Sequence, residues 1–304
     1  MATSRKALAL LELVYEGGEV LDLALEHQRS RFQRRLGEQF QSFDVRKHRG
    51  RGGREEVLDF AYSVQPRNVL VRGLAGALEA GRLFPQAHIF IDVIGRHPLD
   101  GGERALIAIA FRVKRVYVYA RSADPLIRRM GIGRITRLQG PFLPSLCCDP
   151  PPTPEEGIVI GVTELYDGAR DVLVQLKRMR DRERWPVRLA STMKMAGVEL
   201  QHTLFDLAEN CNLLVCPHEQ ADTHGPHEGA LLALATERAL CTSTTSAMRG
   251  LPYDGGYAAA ERYAAQSYAR GYAHYCANRA TLDDRHKHVP MNPDELVNTV
   301  LQAL

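Results

Sequence analysis

The stretch Asn212–Ser243, NLLVCPHEQADTHGPHEGALLALATERALCTS, constrains the fold more than any other part of the chain. Asn212–Cys216 is a short apolar run closed by Pro217, and Pro217–His227 is dense in turn formers and histidine. Glu228–Thr236 consists of strong helix formers, and Leu240–Thr242 is apolar again. Strand, loop, helix, strand is the repeating unit of an α/β sheet. In such a sheet, the loop that leaves a strand and opens a helix lies at the carboxyl edge, where ligands bind. The free amides of the helix start favour an anion such as a diphosphate there.

The same alternation runs through the rest of the chain. Lys6–Val14 reads as a strand, Glu16-Gly17-Gly18 as a glycine turn, and the following segment as a helix through Phe40 with Leu21, Leu25, Phe32 and Leu36 on one face. Ser42–Lys47 is a candidate strand leading into His48-Arg49-Gly50-Arg51-Gly52-Gly53-Arg54. Glycines there let the backbone approach a phosphodiester, and arginines fork onto phosphate oxygens. Arg46, Lys47, Arg49, Arg51 and Arg54 are therefore the expected contacts to an anionic acceptor. A helix at Glu55–Ser63, a strand at Asn68–Val71 and a helix through Leu83 follow, then the apolar strand Ala87–Ile94. A helix over Glu103–Phe111 and strands at Val116–Ala120 and Arg134–Gly140 complete the first half.

Composition then changes. The prolines between Pro144 and Pro154 make a stiff connector, which divides the chain into 1–143, a linker at 144–156, and 157–304. Gly157–Val162 restarts a parallel sheet, followed by a helix at Ala169–Arg182, a strand at Pro186–Ser191 and a short helix at Leu204–Glu209. After Ser243 a long helix is expected over Tyr257–Ala280, with Tyr268, Tyr272 and Tyr275 packing on one face, and a last helix over Glu295–Ala303.

The 304 residues suffice for two ordinary domains. Charge is divided between them. Through Pro150 there are 24 Lys and Arg against 16 Asp and Glu, a surplus of eight cations; the remaining 15 and 20 leave five extra anions. A basic half of this kind suits an anionic partner, nucleic acid first and a membrane surface second, or else is a solvated face without a partner. No apolar run spans a membrane. The basic-then-apolar N-terminus is broken by Glu12 and Glu16 and reads as a strand, not a leader. The six cysteines lack any C-x-x-C pair, which points to a reducing, cytoplasmic compartment (the host's, if a bacteriophage encodes the chain).

Cys216-Pro217-His218, His224-Gly225, His227-Glu228-Gly229, the helix Leu231–Ala235 and the strand Leu240–Ser243 resemble the donor-binding segment of GT-B glycosyltransferases, in particular the retaining group with an E-x7-E pattern. His224 and Leu232 stand where its two glutamates are expected, which leaves Glu228 as the nearest acid. Gly17 and Gly18 resemble the glycine loop after the first GT-B strand. The unit from Ala87 to Ala120 resembles the GT-B segment in which a histidine faces the donor sugar, a place that His97 takes. The resemblance implies two facing Rossmann-like domains with a terminal helix crossing back. The first would bind the acceptor and the second a UDP- or GDP-linked sugar, with no tightly bound cofactor and no metal needed for the fold. It implies donor contacts from Gly17, Gly18, His218, His224, Gly225, His227, Glu228 and Gly229. Arg170 and Lys194 would replace the cationic pair that usually holds the diphosphate. His97, Asp100 and Asp92 are the implied base or orienting groups. The lead acceptor is a hydroxymethylated pyrimidine in DNA, as glucosylated in some bacteriophages, and the rival is a lipid or cell-envelope glycan.

Two other classes fit the same residues. Cys216, His218, Asp222, His224 and His227 are zinc-ligand types crowded into one loop, as in a metal-dependent hydrolase, although their spacing matches no standard site. A non-catalytic nucleic-acid binder is compatible with the arginine-rich half, but no helix-turn-helix, RRM or zinc-finger pattern is present. Absence of G-x4-G-K-[ST] and of G-x-G-x-x-G after a strand argues against P-loop and dehydrogenase chemistry.

Overall fold

A computed structural model describes residues 5–48, 53–94, 109–119, 127–128, 131–138, 152, 157–165, 168–217, 228–243, 256–259, 265–285, 292 and 294–304. The chain divides into two compact units. The first is built on Met1–Pro141 with Asn292–Leu304, and the second on Phe142–Ala221 with His227–Met291.

In the first unit, β1 (Lys6–Val14), β2 (Phe40–Asp44), β3 (Val64–Arg72), β4 (His88–Asp92), β5 (Val113–Val118) and β6 (Ile135–Arg137) form one parallel sheet of order β2-β1-β3-β4-β5-β6. α1 (Glu19–Leu36), α2 (Gly53–Ser63) and α3 (Ala77–Leu83) connect its early strands. Parallel strands need such crossovers, and a sheet covered on both faces is apolar on both. One face packs Leu11, Leu13, Val69, Val71, Ile89 and Ile91; the other packs Leu10, Val14, Leu70, Phe90 and Tyr117. This second face also takes Leu296, Val297 and Val300 of the terminal helix, which runs from Glu295 to Ala303. Asp294, at its start, pairs with Arg31 at 3.3 Å.

In the second unit, β7 (Ile158–Val162), β8 (Val187–Ser191), β9 (Glu199–Leu200), β10 (Leu213–Cys216), β11 (Ala239–Ser243) and β12 (Gly256–Ala259) form a second parallel sheet of order β12-β11-β10-β7-β8-β9. Its helices are α4 (Ala169–Glu183), α5 (Leu204–Glu209), α6 (Glu228–Ala235) and α7 (Ala265–Arg285); the terminal helix is α8. α6 is buried along its whole length, which explains its uniformly apolar sequence. Asn212 ties the sheet to the connector: its Oδ1 accepts from the Val159 amide at 2.8 Å and its Nδ2 donates to the Pro152 carbonyl at 2.8 Å.

Several sequence expectations need correction. α1 stops at Leu36, not Phe40, because Gly37 adopts φ +56° and ends the helix. Phe40 instead opens β2, pairing with Leu10 and stacking on Phe32 at 5.5 Å, so β2 begins earlier and ends earlier than Ser42–Lys47. The long helix expected from Tyr257 is a strand followed by a helix. Gly256 lets β12 lie close to the Leu240 carbonyl, and α7 starts only at Ala265. Tyr268 and Tyr275 are buried, and with half-buried Tyr272 they pack on their own sheet as expected. Most of the expected helix Glu103–Phe111 lies outside the described residues; Ala110–Arg112 is a single 3-10 turn.

Through the first sheet runs a buried ion network. Arg72 is fully buried, with Nε donating to Glu12 Oε1 at 2.8 Å and Nη1 to Asp92 Oδ2 at 2.6 Å. Glu12 Oε2 accepts from Arg29 Nε at 3.1 Å and Ser42 Oγ at 2.7 Å, and Asp92 Oδ1 accepts from Tyr119 Oη at 2.7 Å. Burial alone would raise the Glu12 pKa, but Arg72, Ser42 and Arg29 hold it below the ordinary carboxylate value. Burial pushes Asp92 above that value, and Arg72 and Tyr119 offset only part of the rise. Both oxygens of each acid accept hydrogen bonds, so Glu12 and Asp92 together carry the counter-charge to the buried guanidinium. Breaking a buried pair by removing its charge costs about 3–5 kcal/mol. Glu12→Gln and Asp92→Asn are each expected to lose stability in that range in urea unfolding, since each removes a buried charge bonded to Arg72. A loss of less than about 1 kcal/mol for either variant would refute its part in the network. The depressed folded pKa of Glu12 makes its contribution complete above its unfolded value near 4.5 and lost as pH falls through the folded one, so acid should weaken the wild type more than Glu12→Gln.

Candidate active site

Both sheets have a topological switch point, where strand order reverses and a crevice forms at the carboxyl ends: between β1 and β3 in the first, and between β7 and β10 in the second. The second has the clearer chemistry. β7 ends at Val162, and the amide of the next residue, Thr163, donates to the Val215 carbonyl at 2.9 Å. Thr163 is wholly buried, yet its Oγ1 makes no hydrogen bond. β8 ends at Ser191, whose Oγ donates to the Val162 carbonyl at 2.8 Å and accepts from the Met193 amide at 3.1 Å. The buried Oγ1 of Thr192 has no partner. Thr242 Oγ1 donates to the Cys216 carbonyl at 2.7 Å, and Ser243 Oγ bonds Tyr268 Oη at 2.9 Å. A rim of hydroxyls therefore follows the carboxyl edge across β7, β8 and β11.

Cations and helix starts meet the same rim. Gly168, in the left-handed region at φ +83°, turns the chain into α4, so that the amides of its first turn open at the carboxyl edge. Arg170 in that first turn and Lys194 after β8 are both exposed, and among the described residues neither has an ion-pair partner. Glu228 is fully buried at the start of α6, where the helix dipole favours an acid, and Gly229 is buried beside it. Cys216 is buried, while His218, His224, Gly225 and His227 lie outside the described residues. Among the described residues no group of three or more His, Cys, Asp or Glu could hold a metal. Burial pushes Cys211 up to about 12, which makes it an inert core thiol.

At the first switch point Gly17 and Gly18 sit between β1 and α1, as the glycine turn foretold. The space beside Gly17 belongs to Arg46, whose Nη1 donates to Asp22 at 2.7 Å and whose Nε and Nη2 donate to Asp44 at 2.8 and 2.7 Å. Arg46 is thus engaged within the protein, whereas Lys47 and Arg54 are exposed. His48 stacks on Phe43 and contacts Glu56, which fixes the chain just ahead of the arginine-glycine loop; Arg49 and Arg51 lie outside the described residues. Asp92 is fully buried with both oxygens bonded, and the segment after it that holds His97 and Asp100 is outside the described residues. Sequence reasoning missed Thr163, Ser191 and Thr192; their signal was a hydroxyl residue immediately at or after each strand's end.

Two six-stranded parallel sheets, with the terminal helix returned to the first, match solved structures over nearly the whole chain. An Anabaena protein, HepE, in complex with UDP-glucose aligns over 97% of this chain and 100% of its own, with TM-score 0.63 and 9% identity. Sucrose-phosphate synthase from Thermosynechococcus elongatus aligns over 98% of each chain, with TM-score 0.63 and 12% identity. The apo lipopolysaccharide outer core galactosyltransferase WaaB aligns over 97% and 100%, with TM-score 0.60 and 12% identity. The fold is GT-B. No protein-family model and no curated protein sequence matches the chain. Since Thr163 Oγ1 has no partner to lose, Thr163→Val is expected to leave stability within about 1 kcal/mol of wild type or to raise it. A larger loss in chemical unfolding would mean that the hydroxyl is structural.

Proposed function

We propose that the protein is a glycosyltransferase that moves a sugar from a UDP-linked donor to a hydroxyl acceptor. The carrying observation is the carboxyl rim of the second sheet: Arg170 and Lys194 uncommitted, Thr163 and Thr192 with unspent hydroxyls, and a helix start directed at the same edge. Such a rim suits the departing diphosphate, whose growing charge is stabilised by prepositioned donors and cations. In this reading Glu228 and Gly229 shape the donor pocket, with His218, His224, Gly225 and His227 from the adjoining loop. His97 and Asp100 activate or orient the acceptor hydroxyl. Asp92 supports them from within the buried network instead of touching substrate. No metal enters the scheme.

For the acceptor we propose a hydroxymethylated pyrimidine in DNA. The surplus of eight cations before residue 151 supports an anionic acceptor, with exposed Lys47 and Arg54 on the first unit available to phosphates. A cell-envelope acceptor is the second reading, favoured by the likeness to a lipopolysaccharide galactosyltransferase.

The test is a transfer assay with pooled UDP- and GDP-sugars on duplex DNA with and without hydroxymethylcytosine or hydroxymethyluracil, read by mass spectrometry of digested nucleosides. A sugar adduct confined to the modified duplex is the expected result. Transfer only to a lipid or glycan would overturn the DNA acceptor alone, and failure to bind any nucleotide sugar would overturn the transferase reading. Lys194→Ala and Thr163→Val should each weaken UDP binding by about fivefold or more, the loss of one hydrogen bond to a charged ligand.

A further inference from the structure

We propose that the groove between α1 and β2 is a binding site for an anionic sugar, separate from both carboxyl edges and independent of the transferase reading. The groove is open to solvent and offers about 590 Å³. It lies toward the amino end of β2, the outermost strand of the first sheet, whereas Asp44 marks that strand's carboxyl end.

Its lining is positive at the surface, the acid that pairs with Arg29 lying buried behind it. Arg29 and Arg34 line it, and no carboxylate does. Arg29 gives only its Nε to Glu12, which is fully buried behind the groove, so both its Nη groups remain for a ligand. Arg34 is exposed and forms no ion pair with any described residue. Two guanidinium forks lining one groove can meet the paired oxygens of a phosphate or carboxylate.

The other lining groups call for a different chemistry. Ser30 Oγ donates to the Glu26 carbonyl and Ser42 Oγ to Glu12, so each has spent its proton and retains a lone pair. Gln33 Nε2 donates to the Gly37 carbonyl, which leaves its oxygen as an acceptor. Gln41 Oε1 is shielded from water without any hydrogen bond, a cost relieved when the carboxamide turns toward a donor. Buried Phe40 supplies an apolar floor. Inorganic phosphate would satisfy the arginines, but its one or two P–OH groups are too few donors for all of these acceptors. A sugar bearing a phosphate or carboxylate offers acceptors on its charged group and donors on its hydroxyls, and satisfies both sets.

The experiment is calorimetric titration of the full chain with a hexose 6-phosphate, a hexuronate, the neutral hexose and inorganic phosphate, with UDP titrated into the same samples. One of the two anionic sugars should bind saturably, about tenfold or more tighter than either neutral hexose or inorganic phosphate, and which one binds identifies the charged group. Arg34→Ala should weaken that binding about tenfold while thermal stability and UDP binding stay at wild-type values. Absence of anionic-sugar binding, phosphate binding as tightly as the sugar, or indifference to Arg34→Ala would each overturn the site. Loss of UDP binding alone, with anionic sugar still bound, would count only against the transferase reading.

Discussion

The first unit depends on burying the charge of Arg72 in the middle of a parallel sheet. A guanidinium taken out of water is tolerated only if its donors and its charge are met together. Here that requires Glu12 from β1 and Asp92 from β4, with Tyr119 following β5. The register supplies them: Arg72 lies opposite Val14 on one side and Asp92 on the other, and Glu12 lies opposite Leu70. A slip of one residue would turn Arg72 to the opposite face and strand its charge. The network therefore pins the alignment of the strands whose carboxyl ends carry the loops of the first unit. Its far end, through Arg29 and Ser42, reaches the groove at the sheet's edge, so a core arrangement and a surface site share Glu12.

The second sheet is organised differently. Its interior is apolar, with Ile160, Val162, Leu213, Val215 and Cys241 packed against Tyr268 and Tyr275. Its polar side chains are displaced to the rim, where strands end and helices begin. Ser191, Thr242 and Ser243 spend their hydroxyls on neighbouring strands or on α7, which stiffens the edge. Thr163 and Thr192 do not, and Arg170 and Lys194 have no carboxylate partner among the described residues. A rigid edge bearing unspent donors is suited to receive an anion without reorganising.

The strands of both sheets other than β9 and β12, their parallel sense and most helix limits were legible because each crossover repeats the same cycle of apolar strand, polar turn and amphipathic helix. Errors fell where a local signal pointed two ways. Gly37 ends a helix that helix formers alone would have prolonged, and Tyr257 has the composition of α7 but pairs through β12 with Cys241. The candidate site was legible in part. Arg170, Lys194, Glu228 and Gly229 do lie at the carboxyl edge, and Gly17 and Gly18 do link β1 to α1, but the vicinity of Gly17 is filled by Arg46.

What the sequence determined by itself was the α/β class, the order of elements and the placement of turn-rich loops after strands, since these follow from periodicity and turn chemistry between near neighbours. Only the tertiary structure decided which charges are spent. Arg46 reaches Asp22, 24 residues away; Arg72 reaches Glu12, 60 residues away; α8 closes a face begun by β1. Ion pairing and burial act through space at a few ångströms, and residues distant in the chain come within that range only once the sheets are assembled.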